Sequence, residues 1–222
     1  MLCSSRRLRG RANLAPPENE NWKLFLRRVS LLRVRKIRKG DWPACMELDT
    51  SYETESAWQM EEQSGEGQWS VRFTEVRLPR KQRITPRRLT SAHSAAEGGA
   101  TPRGRPVASG VWPERDGFWV AVESREVCGY LGAVLERDHS QVRITELAVA
   151  PAWRRRRVAT ELLAHVTTWS VRQNVDQLVF ECSPKAQPAI SFVMFHRFTF
   201  CGFQDAYWPG QEVGLFFRKR IH

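Results

Sequence analysis

The order of periodic segments along the chain predicts an α/β or α+β domain with a mixed sheet. Segments of alternating apolar residues, typical of strands, are separated by segments with the helical spacing of apolar residues. Hydrophobic residues make up 41% of the 222 residues, which is enough for one domain with a substantial core. No apolar run reaches the roughly 18 residues that a membrane-spanning helix needs, so no membrane partner is expected.

The chain is expected to begin with a basic, disordered arm over residues 1–28, followed by one domain over residues 29–222. The arm is rich in arginine and lacks the apolar stretch of a secretory signal. The five cysteines are scattered without the spacing of metal ligands, which predicts reduced, buried thiols and no metal site. Both observations favour a cytoplasmic protein.

The first half of the domain has few periodic segments. Near-alternate apolar residues predict strands over residues 31–37 and 68–78. Between them, Asp41 offers an N-cap followed by a first-turn proline, which predicts a helix over residues 42–49. Residues 79–113 are rich in Arg, Pro, Gly, Ser and Thr without apolar periodicity, and this composition predicts a long, mobile loop.

The second half of the domain is patterned throughout. Two apolar strands over residues 116–124 and 126–136 leave Ser124 and Arg125 as a tight hairpin turn. The remaining elements are predicted as a strand over 141–150, a helix over 157–173, a strand over 176–183, a helix over 186–197 and a closing antiparallel pair of strands.

The strand QVRITELAVA (141–150) contains a change of phase. In a regular strand Val142 and Ile144 would share one face, whereas Leu147 and Val149 would lie on the opposite face. A slip of one residue is what a β-bulge produces, and bulges are frequent beside active sites. The sequence therefore predicts a bulge in this strand.

Four consecutive arginines, Arg154 to Arg157, follow this strand and precede the next predicted helix. The unpaired N–H groups and the macrodipole of a helix start attract anions, and arginine side chains fork onto phosphate oxygens. The run therefore favours a phosphate site, with a solvated charge run and a nucleic-acid contact as alternatives. The net charge of +11 also favours anionic partners.

The segment ITELAVAPAWRRRRVATELL resembles the acetyl-CoA-binding motif of the GNAT N-acetyltransferase superfamily. That motif reads Gln/Arg-x-x-Gly-x-Gly/Ala at the head of a helix, so Arg154 falls on its first position and Ala159 on its last. The segment LVFECSPKAQPAISFVMFHRFTFCGF resembles the C-terminal half of the same superfamily. The resemblance covers about residues 31–220 and extends loosely to the streptothricin acetyltransferase-like subfamily. It implies a GNAT-type mixed, mostly antiparallel sheet flanked by helices.

The resemblance also implies acetyl-CoA as the cosubstrate. Backbone N–H groups at the helix start would cradle its pyrophosphate, and Arg154 would hold a phosphate as well. The backbone of the bulged strand would pair with the pantetheine arm. The implied cofactor-binding residues are Leu147, Ala148, Val149, Arg154, Arg155, Arg156, Arg157, Val158 and Ala159.

Glu146, at the predicted bulge, is the implied general base, because an ammonium acceptor must lose a proton before its nitrogen attacks a thioester. Val193 occupies the position of the tyrosine that usually protonates the leaving thiolate. The enzyme is therefore expected to be slow, to use another donor such as Tyr207, or to have lost activity.

Three further positions depart from the family pattern. Arg157 and Arg197 each stand where the family has glycine, and Ala186 stands where it often has asparagine. Glycine at the first position lets the backbone approach the pyrophosphate closely. We therefore expect Arg157→Gly to tighten acetyl-CoA binding.

Residues 47–66 are acidic, contain aromatic residues and include no basic residue. In the superfamily this region lines the acceptor cleft. An acidic, aromatic wall suits a small cationic amine such as an aminoglycoside, a streptothricin-like antibiotic, a polyamine or a lysine side chain. Asp49, Tyr52 and Glu53 are the predicted substrate-binding residues, and a solvated acidic loop is the alternative.

Three functions remain open at this point. The first is an N-acetyltransferase, monomeric or homodimeric, that acts on a cationic amine. The second is a non-catalytic module of the same fold that binds acyl-CoA. The third is a nucleic-acid-associated protein that uses the basic segments 1–40 and 77–105, but aromatic residues are too sparse there to favour nucleic acid as a partner.

Overall fold

Nine strands and three α-helices make up the part of the protein that the computed structural model describes, residues 32–86, 117–208 and 212–221. The strands are β1 (Arg33–Lys36), β2 (Tyr52–Gly65), β3 (Gln68–Ile84), β4 (Gly117–Glu123), β5 (Glu126–Glu136), β6 (Gln141–Val149), β7 (Gln177–Cys182), β8 (Thr199–Trp208) and β9 (Glu212–Arg220). The helices are α1 (Trp42–Glu47), α2 (Val158–Arg172) and α3 (Gln187–Phe195).

Seven of these strands form one sheet in the order β1-β4-β5-β6-β7-β9-β8. Every neighbouring pair is antiparallel except β6 and β7, which run parallel. The predicted mixed, mostly antiparallel sheet is therefore confirmed. The parallel pair needs a crossover, which α2 provides because it connects β6 to β7.

Helices pack on both faces of the sheet. The α2–α3 face carries the main core, in which helix residues such as Leu162, Val166 and Ile190 meet strand residues such as Ile144 and Leu178. The opposite face, here the α1 face, carries a smaller cluster of Cys45 and Leu48 against Phe118, Val120 and Tyr130. Alternation along each strand divides its side chains between the two cores.

The predicted bulge lies in β6 at Thr145. Gly132 of β5 is paired with Glu146, whereas the next residue, Ala133, is paired with Ile144, so Thr145 is the extra residue. The bulge restores the phase, because Val142, Ile144, Leu147 and Val149 all pack into the core on the α2–α3 face. The bulged strand is thus confirmed.

The β2–β3 hairpin forms a separate two-stranded sheet and corrects the predicted loop over residues 79–113. Residues 79–84 belong to β3, and the remainder of that loop beyond residue 86 lies outside the described residues. This end of β3 has no apolar periodicity, and its charges complement those of β2. Four residues of β2 are acidic, whereas β3 has five basic residues and one acidic residue. Pro79 falls at a register shift, where no ladder donor is needed.

Most other predicted elements occur within a few residues of their expected ends. The turn at Ser124 and Arg125 has positive φ at both residues, which matches the twist of a two-residue hairpin. The predicted boundary of the arm after residue 28 lies outside the described residues. Three described cysteines are buried, but Cys201 is exposed, which corrects the expectation of uniformly buried thiols. None of the described helices is long and apolar enough to cross a membrane.

Candidate active site

The two parallel strands separate at the bulge. Their pairing ends at Ile144 and Phe180, although β6 continues to Val149. Beyond this point, residues 145–149 present a strand edge that makes no ladder bond to β7. An extended ligand can pair with such an edge. The predicted pantetheine residues Leu147, Ala148 and Val149 all lie on it.

The start of α2 lies at the end of this edge and has unpaired backbone donors. The first intrahelical bond runs from the N–H of Glu161 to the carbonyl of Arg157 at 3.0 Å, and no side chain caps the helix. The N–H groups of the first turn therefore have no acceptor within the helix. Gly129 of β5 lets this helix start lie close to the sheet, because a Cβ there would be 2.6 Å from the carbonyl of Ala148 and 3.2 Å from Val158.

Two of the four arginines adopt left-handed backbone conformations. The φ angles of Arg155 and Arg157 are 62° and 64°. Non-glycine residues in this region are strained by roughly 1–3 kcal/mol each, and such strain is concentrated at functional sites. The family's glycine preference at the position of Arg157 thus has a conformational reason in addition to the close approach of a phosphate.

Arg154, the predicted phosphate ligand, directs its guanidinium to backbone carbonyls. Its Nε donates to the carbonyl of Val149 at 3.0 Å, and its Nη2 donates to the carbonyls of Ser51 at 2.6 Å and Asp49 at 3.4 Å. Arg156 stacks instead on Trp153, 5.1 Å from the ring centroid. A phosphate contact by Arg154 stays a prediction.

The bulge places Glu146 on the α1 face. Without the extra residue, Glu146 would follow Val142 and Ile144 into the core; with it, Leu147 enters the core instead. Glu146 lies opposite Gly132, and a Cβ on that glycine would be 3.7 Å from the Cβ of Glu146. The predicted general base is therefore half-buried beside the opening between β6 and β7.

A hydrogen-bonded network of four side chains also lies on the α1 face. Tyr207 donates its hydroxyl proton to Oε2 of Glu181 at 2.6 Å, and Arg143 donates from Nη1 to the same oxygen at 2.7 Å and to the Tyr207 hydroxyl at 3.0 Å. Arg143 also donates from Nε to Glu136 at 2.7 Å. Arg143 is two residues before the bulge, so the network lies where β6 and β7 begin to separate.

The Glu181 side chain is only 1% exposed. Its burial affects the pKa values of the titratable groups in the network. Burial raises the pKa of Glu181 above its ordinary value, although the charge of Arg143 opposes this. Burial, followed by the charge of Glu181, also raises the pKa of Tyr207. The Tyr207 hydroxyl is therefore held protonated, and its proton is directed to Glu181.

The local backbone of β8 and β9 is arranged to bring Tyr207 to this network. A register irregularity between Gln204 and Trp208 includes Ala206, whose φ of 49° is left-handed. The Tyr207 ring then lies across Gly214, where a Cβ would be 2.6 Å from the ring. Any larger residue at position 214 would displace the ring.

The predicted substrate-binding residues lie at the start of β2. Asp49 forms an ion pair with Arg83 at 3.2 Å, and Glu53 forms one with Lys81 at 2.6 Å. Tyr52 is half-buried against the main core, and burial, followed by the charge of Glu212, raises its pKa. The acidic segment is thus a strand whose charges are partly paired with β3, instead of a free acidic loop.

Comparison with known proteins shows which family part of this chain is similar to. Residues 90–196 match the profile of the acetyltransferase (GNAT) family. The match covers 107 of the 222 residues, just under half of the chain. A search of curated proteins found no match.

Solved structures share the GNAT fold over most of the chain. A nourseothricin acetyltransferase has 19% identity and a TM-score of 0.66, with 86% of this chain and 99% of that chain covered. A putative streptothricin acetyltransferase from Bacillus anthracis str. Ames, in complex with acetyl coenzyme A, has 14% identity and a TM-score of 0.61, with coverage of 85% and 97%. The ribosomal-protein-S18-alanine N-acetyltransferase from Escherichia coli has 12% identity and a TM-score of 0.52, with coverage of 86% and 94%.

The positions that depart from the GNAT pattern have clear structural surroundings. Val193, at the tyrosine position, is 0% exposed and packs in the main core. Arg197, at a glycine position, has φ 66°, and the N–H of the next residue, Phe198, donates to the carbonyl of Val193 at 3.0 Å to close α3. Ala186 is the N-terminal flanking residue of α3.

Sequence reasoning missed Arg143, Glu136 and Glu181 as members of a site. The signal was the charged residue inside the apolar strand LVFEC, because a buried carboxylate requires a partner. The partner could not be identified from the sequence, since Arg143 is 38 residues away from Glu181.

Proposed function

We propose that this GNAT-domain protein transfers the acetyl group of acetyl-CoA to the primary amine of a small cationic acceptor. One observation carries the proposal: the bulge at Thr145 opens β6 away from β7, and the opening leads to an uncapped helix start. A strand edge for an extended amide-containing arm and a cluster of N–H donors for a pyrophosphate are thus adjacent. The match to the GNAT family profile supports the same reaction class.

The residues present fit acetyl-CoA. The backbone of Leu147 to Val149 would pair with the pantetheine arm, and the N–H groups of residues 155–159 would hold the pyrophosphate. The neighbour from Bacillus anthracis is a complex with acetyl coenzyme A, which supports this cosubstrate. When bound, acetyl-CoA supplies an activated acyl group: the acceptor nitrogen forms a bond to the acetyl carbon, the carbon–sulfur bond breaks, and CoA leaves as thiol once it receives a proton.

Two groups of this protein would manage the protons. Glu146, on the α1 face beside the opening, would accept the proton that the acceptor ammonium must lose, directly or through water. Tyr207 is the proposed proton donor in place of the missing family tyrosine. The Tyr207 hydroxyl donates its hydrogen bond to Glu181. After Tyr207 gives its proton to the thiolate, solvent or a protonated Glu181 would return a proton to the phenolate.

The α1 face of the sheet supports a cationic acceptor. Glu136, Glu146 and Glu181 lie along it with Arg143, so three carboxyl groups accompany one guanidinium. Asp49 and Glu53 are each paired with one basic residue of β3, whereas Glu136 and Glu181 share the single guanidinium of Arg143. We therefore assign Asp49 and Glu53 a smaller share of the attraction. Tyr52 remains a proposed wall residue.

Calorimetric titration with acetyl-CoA, followed by a CoA-release assay, tests the proposal. The acceptor panel contains a streptothricin, an aminoglycoside, spermidine, a lysine peptide and a peptide with a free N-terminal alanine. We expect acetyl-CoA binding and CoA release with at least one cationic small molecule, and loss of release on Glu146→Gln with binding retained. Absence of acetyl-CoA binding by folded protein would refute the proposal.

A second candidate is a GNAT-fold module that binds acyl-CoA without catalysis. The burial of Val193 at the position of the family's proton donor favours it. The same assay separates the two functions, because a binding module gives a calorimetric signal but no CoA release with any amine.

A further inference from the structure

The side chain of Arg154 connects two parts of the proposed site. It reaches the carbonyl of Val149, which ends the strand edge assigned to pantetheine, and the carbonyls of Asp49 and Ser51, which precede β2. A guanidinium with three carbonyl acceptors on two chain segments fixes their separation, because its donors lie in one rigid plane.

The segment of residues 49–51, here called the β2 corner, is held from both sides. Asp49 accepts the N–H of Ser51 at 2.9 Å within the corner. Arg83 donates to Asp49 Oδ2 at 3.2 Å and to the Ser51 hydroxyl at 2.8 Å from the β3 side. The corner leads directly into Tyr52, the proposed wall of the acceptor cleft. Its position therefore determines where that wall begins.

The backbone next to Arg154 is the strained part of the proposed pyrophosphate cradle. Arg155 and Arg157 are left-handed, and the α2 start has no side-chain cap. An anion bound by these N–H groups stabilises this conformation, because it satisfies the unpaired donors and the helix dipole. Without an anion, the strain favours a less defined loop. Anion binding is therefore expected to increase the order of this loop.

We infer that Arg154 couples occupancy of the cradle to the position of the β2 corner, so that acetyl-CoA binding organises the acceptor wall. This inference rests on the proposed function. Ordering of residues 155–157 fixes the backbone of Arg154, and its guanidinium transmits this order to Asp49 and Ser51. The coupling is reciprocal: a ligand that fixes the corner strengthens acetyl-CoA binding by the same factor. Arg154 is therefore a positioning residue for the acceptor.

Amide hydrogen exchange with and without saturating acetyl-CoA measures the coupling directly. We expect acetyl-CoA to slow exchange over residues 48–56 by about fivefold or more in the unmodified protein, the lower end of ordinary coupling between sites. In Arg154→Gln we expect this protection to be lost, while the start of α2 remains protected by the ligand. Arg154→Lys keeps the charge and one donor group, and we expect it to restore part of the protection.

The matched control is Arg172→Gln, which removes the same charge from the exposed far end of α2 and should leave the coupling unchanged. Calorimetry on each variant gives the acetyl-CoA concentration needed for saturation. It also distinguishes a failure to bind acetyl-CoA from a failure of binding to affect the β2 corner. If the unmodified protein does not bind acetyl-CoA, the proposed function and the coupling are both refuted. If it binds but residues 48–56 do not respond, or respond equally in Arg154→Gln, the coupling alone is refuted.

Discussion

Arg157 shows how a family glycine can be replaced without losing its backbone conformation. The residue keeps φ at 64°, so the start of α2 has the geometry that glycine adopts freely. The side chain carries no capping bond. The substitution thus retains the N–H donor at the cost of backbone strain.

We expect Arg157→Gly to raise the free energy of unfolding by about 0.5–1 kcal/mol, because relief of left-handed strain exceeds the larger entropy of the unfolded chain. Acetyl-CoA binding should tighten as well. Chemical denaturation and calorimetry provide the measurements. Arg172→Gly, at the last residue of α2, is the control and should destabilise the protein by up to about 0.5 kcal/mol, because the glycine penalty is smaller at a helix end. Equal effects of the two substitutions would contradict the strain argument.

Val193, at the position where the resemblance implies a tyrosine, is part of the core. Its side chain is fully buried, so a tyrosine there would have to displace neighbouring side chains before its hydroxyl reached the opening. The left-handed Arg197 in the same segment shows that the helix end of the family is nevertheless retained. The backbone of this segment thus matches the expected helix end, whereas the Val193 side chain has no proton to donate.

We expect Val193→Tyr to lower the free energy of unfolding by about 1–3 kcal/mol through overpacking. The control is Met194→Tyr, which introduces the same residue at a neighbouring position that is 53% exposed and should change stability by less than about 0.5 kcal/mol. Urea denaturation measures both. A stable Val193→Tyr protein with faster CoA release would show that this position still reaches the thioester.

At the scale of elements, the β6 bulge and the parallel β6–β7 pair create the site together. One extra residue, Thr145, brings Glu146 to the α1 face and ends the ladder to β7. The irregular end of β8 brings Tyr207 over Gly214 to the same region. The two proposed catalytic groups, Glu146 and Tyr207, thus lie where regular strand pairing stops.

The buried Glu181 predicts a pH dependence of stability. Its pKa in the folded protein is raised above 4.5 because it is buried, so the folded state holds this proton more tightly than the unfolded state. Its contribution to stability is therefore fully present below about pH 4.5 and is lost as the pH rises through the raised folded value. We expect the unfolding free energy of the unmodified protein, minus that of Glu181→Gln, to fall over this range.

Denaturant titrations of both proteins between pH 4 and 8 measure this difference. The glutamine side chain still offers an acceptor to the Tyr207 hydroxyl, and Arg143 still donates its hydrogen bond to Glu136. The network therefore loses only the titrating group. Glu61→Gln, at an exposed position of β2, serves as the control. A difference that rises with pH would mean that attraction to Arg143 outweighs burial.

At the scale of the whole molecule, the β2–β3 hairpin is attached to the central sheet through few contacts. The backbone N–H of Trp58 donates to the carbonyl of Pro184 at 3.0 Å, and the indole N–H of Trp58 donates to the side-chain oxygen of Gln187 at 3.1 Å. Phe73 packs against Phe200 and Phe203 of β8, with ring centroids 5.4 and 5.3 Å apart. The hairpin therefore crosses from the start of α3 to the edge strand.

We expect Trp58→Phe to destabilise the protein by about 1–2 kcal/mol, because Gln187 loses its donor and half-buried ring area is removed. Trp69→Phe is a matched control: that indole is 75% exposed and bonds only within the hairpin, to Glu62. Its loss should cost less than about 0.5 kcal/mol. Thermal unfolding compares the two, and similar losses would show that the docking contact contributes little.

Residue spacing along the chain predicts the mixed sheet, the bulge and the arginine-rich helix start. These features depend on the spacing of residues within about twenty positions, where strand and helix periodicities act. It could not reveal the network of Arg143, Glu181 and Tyr207, because these residues meet only after β6, β7 and β8 are brought together. It also missed β3 beyond residue 78, where pairing with the acidic β2 replaces apolar periodicity.

The direction of the Arg154 guanidinium depends on tertiary contacts. A helix start rich in arginine predicts phosphate contacts from local charge alone, and this expectation stays a prediction. The carbonyls of Asp49 and Ser51, about a hundred positions earlier in the chain, became acceptors because folding places the β2 corner beside the end of β6. Local periodicity fixes which elements form, whereas the partner of a long, flexible, charged side chain depends on which distant backbone groups folding brings within its reach.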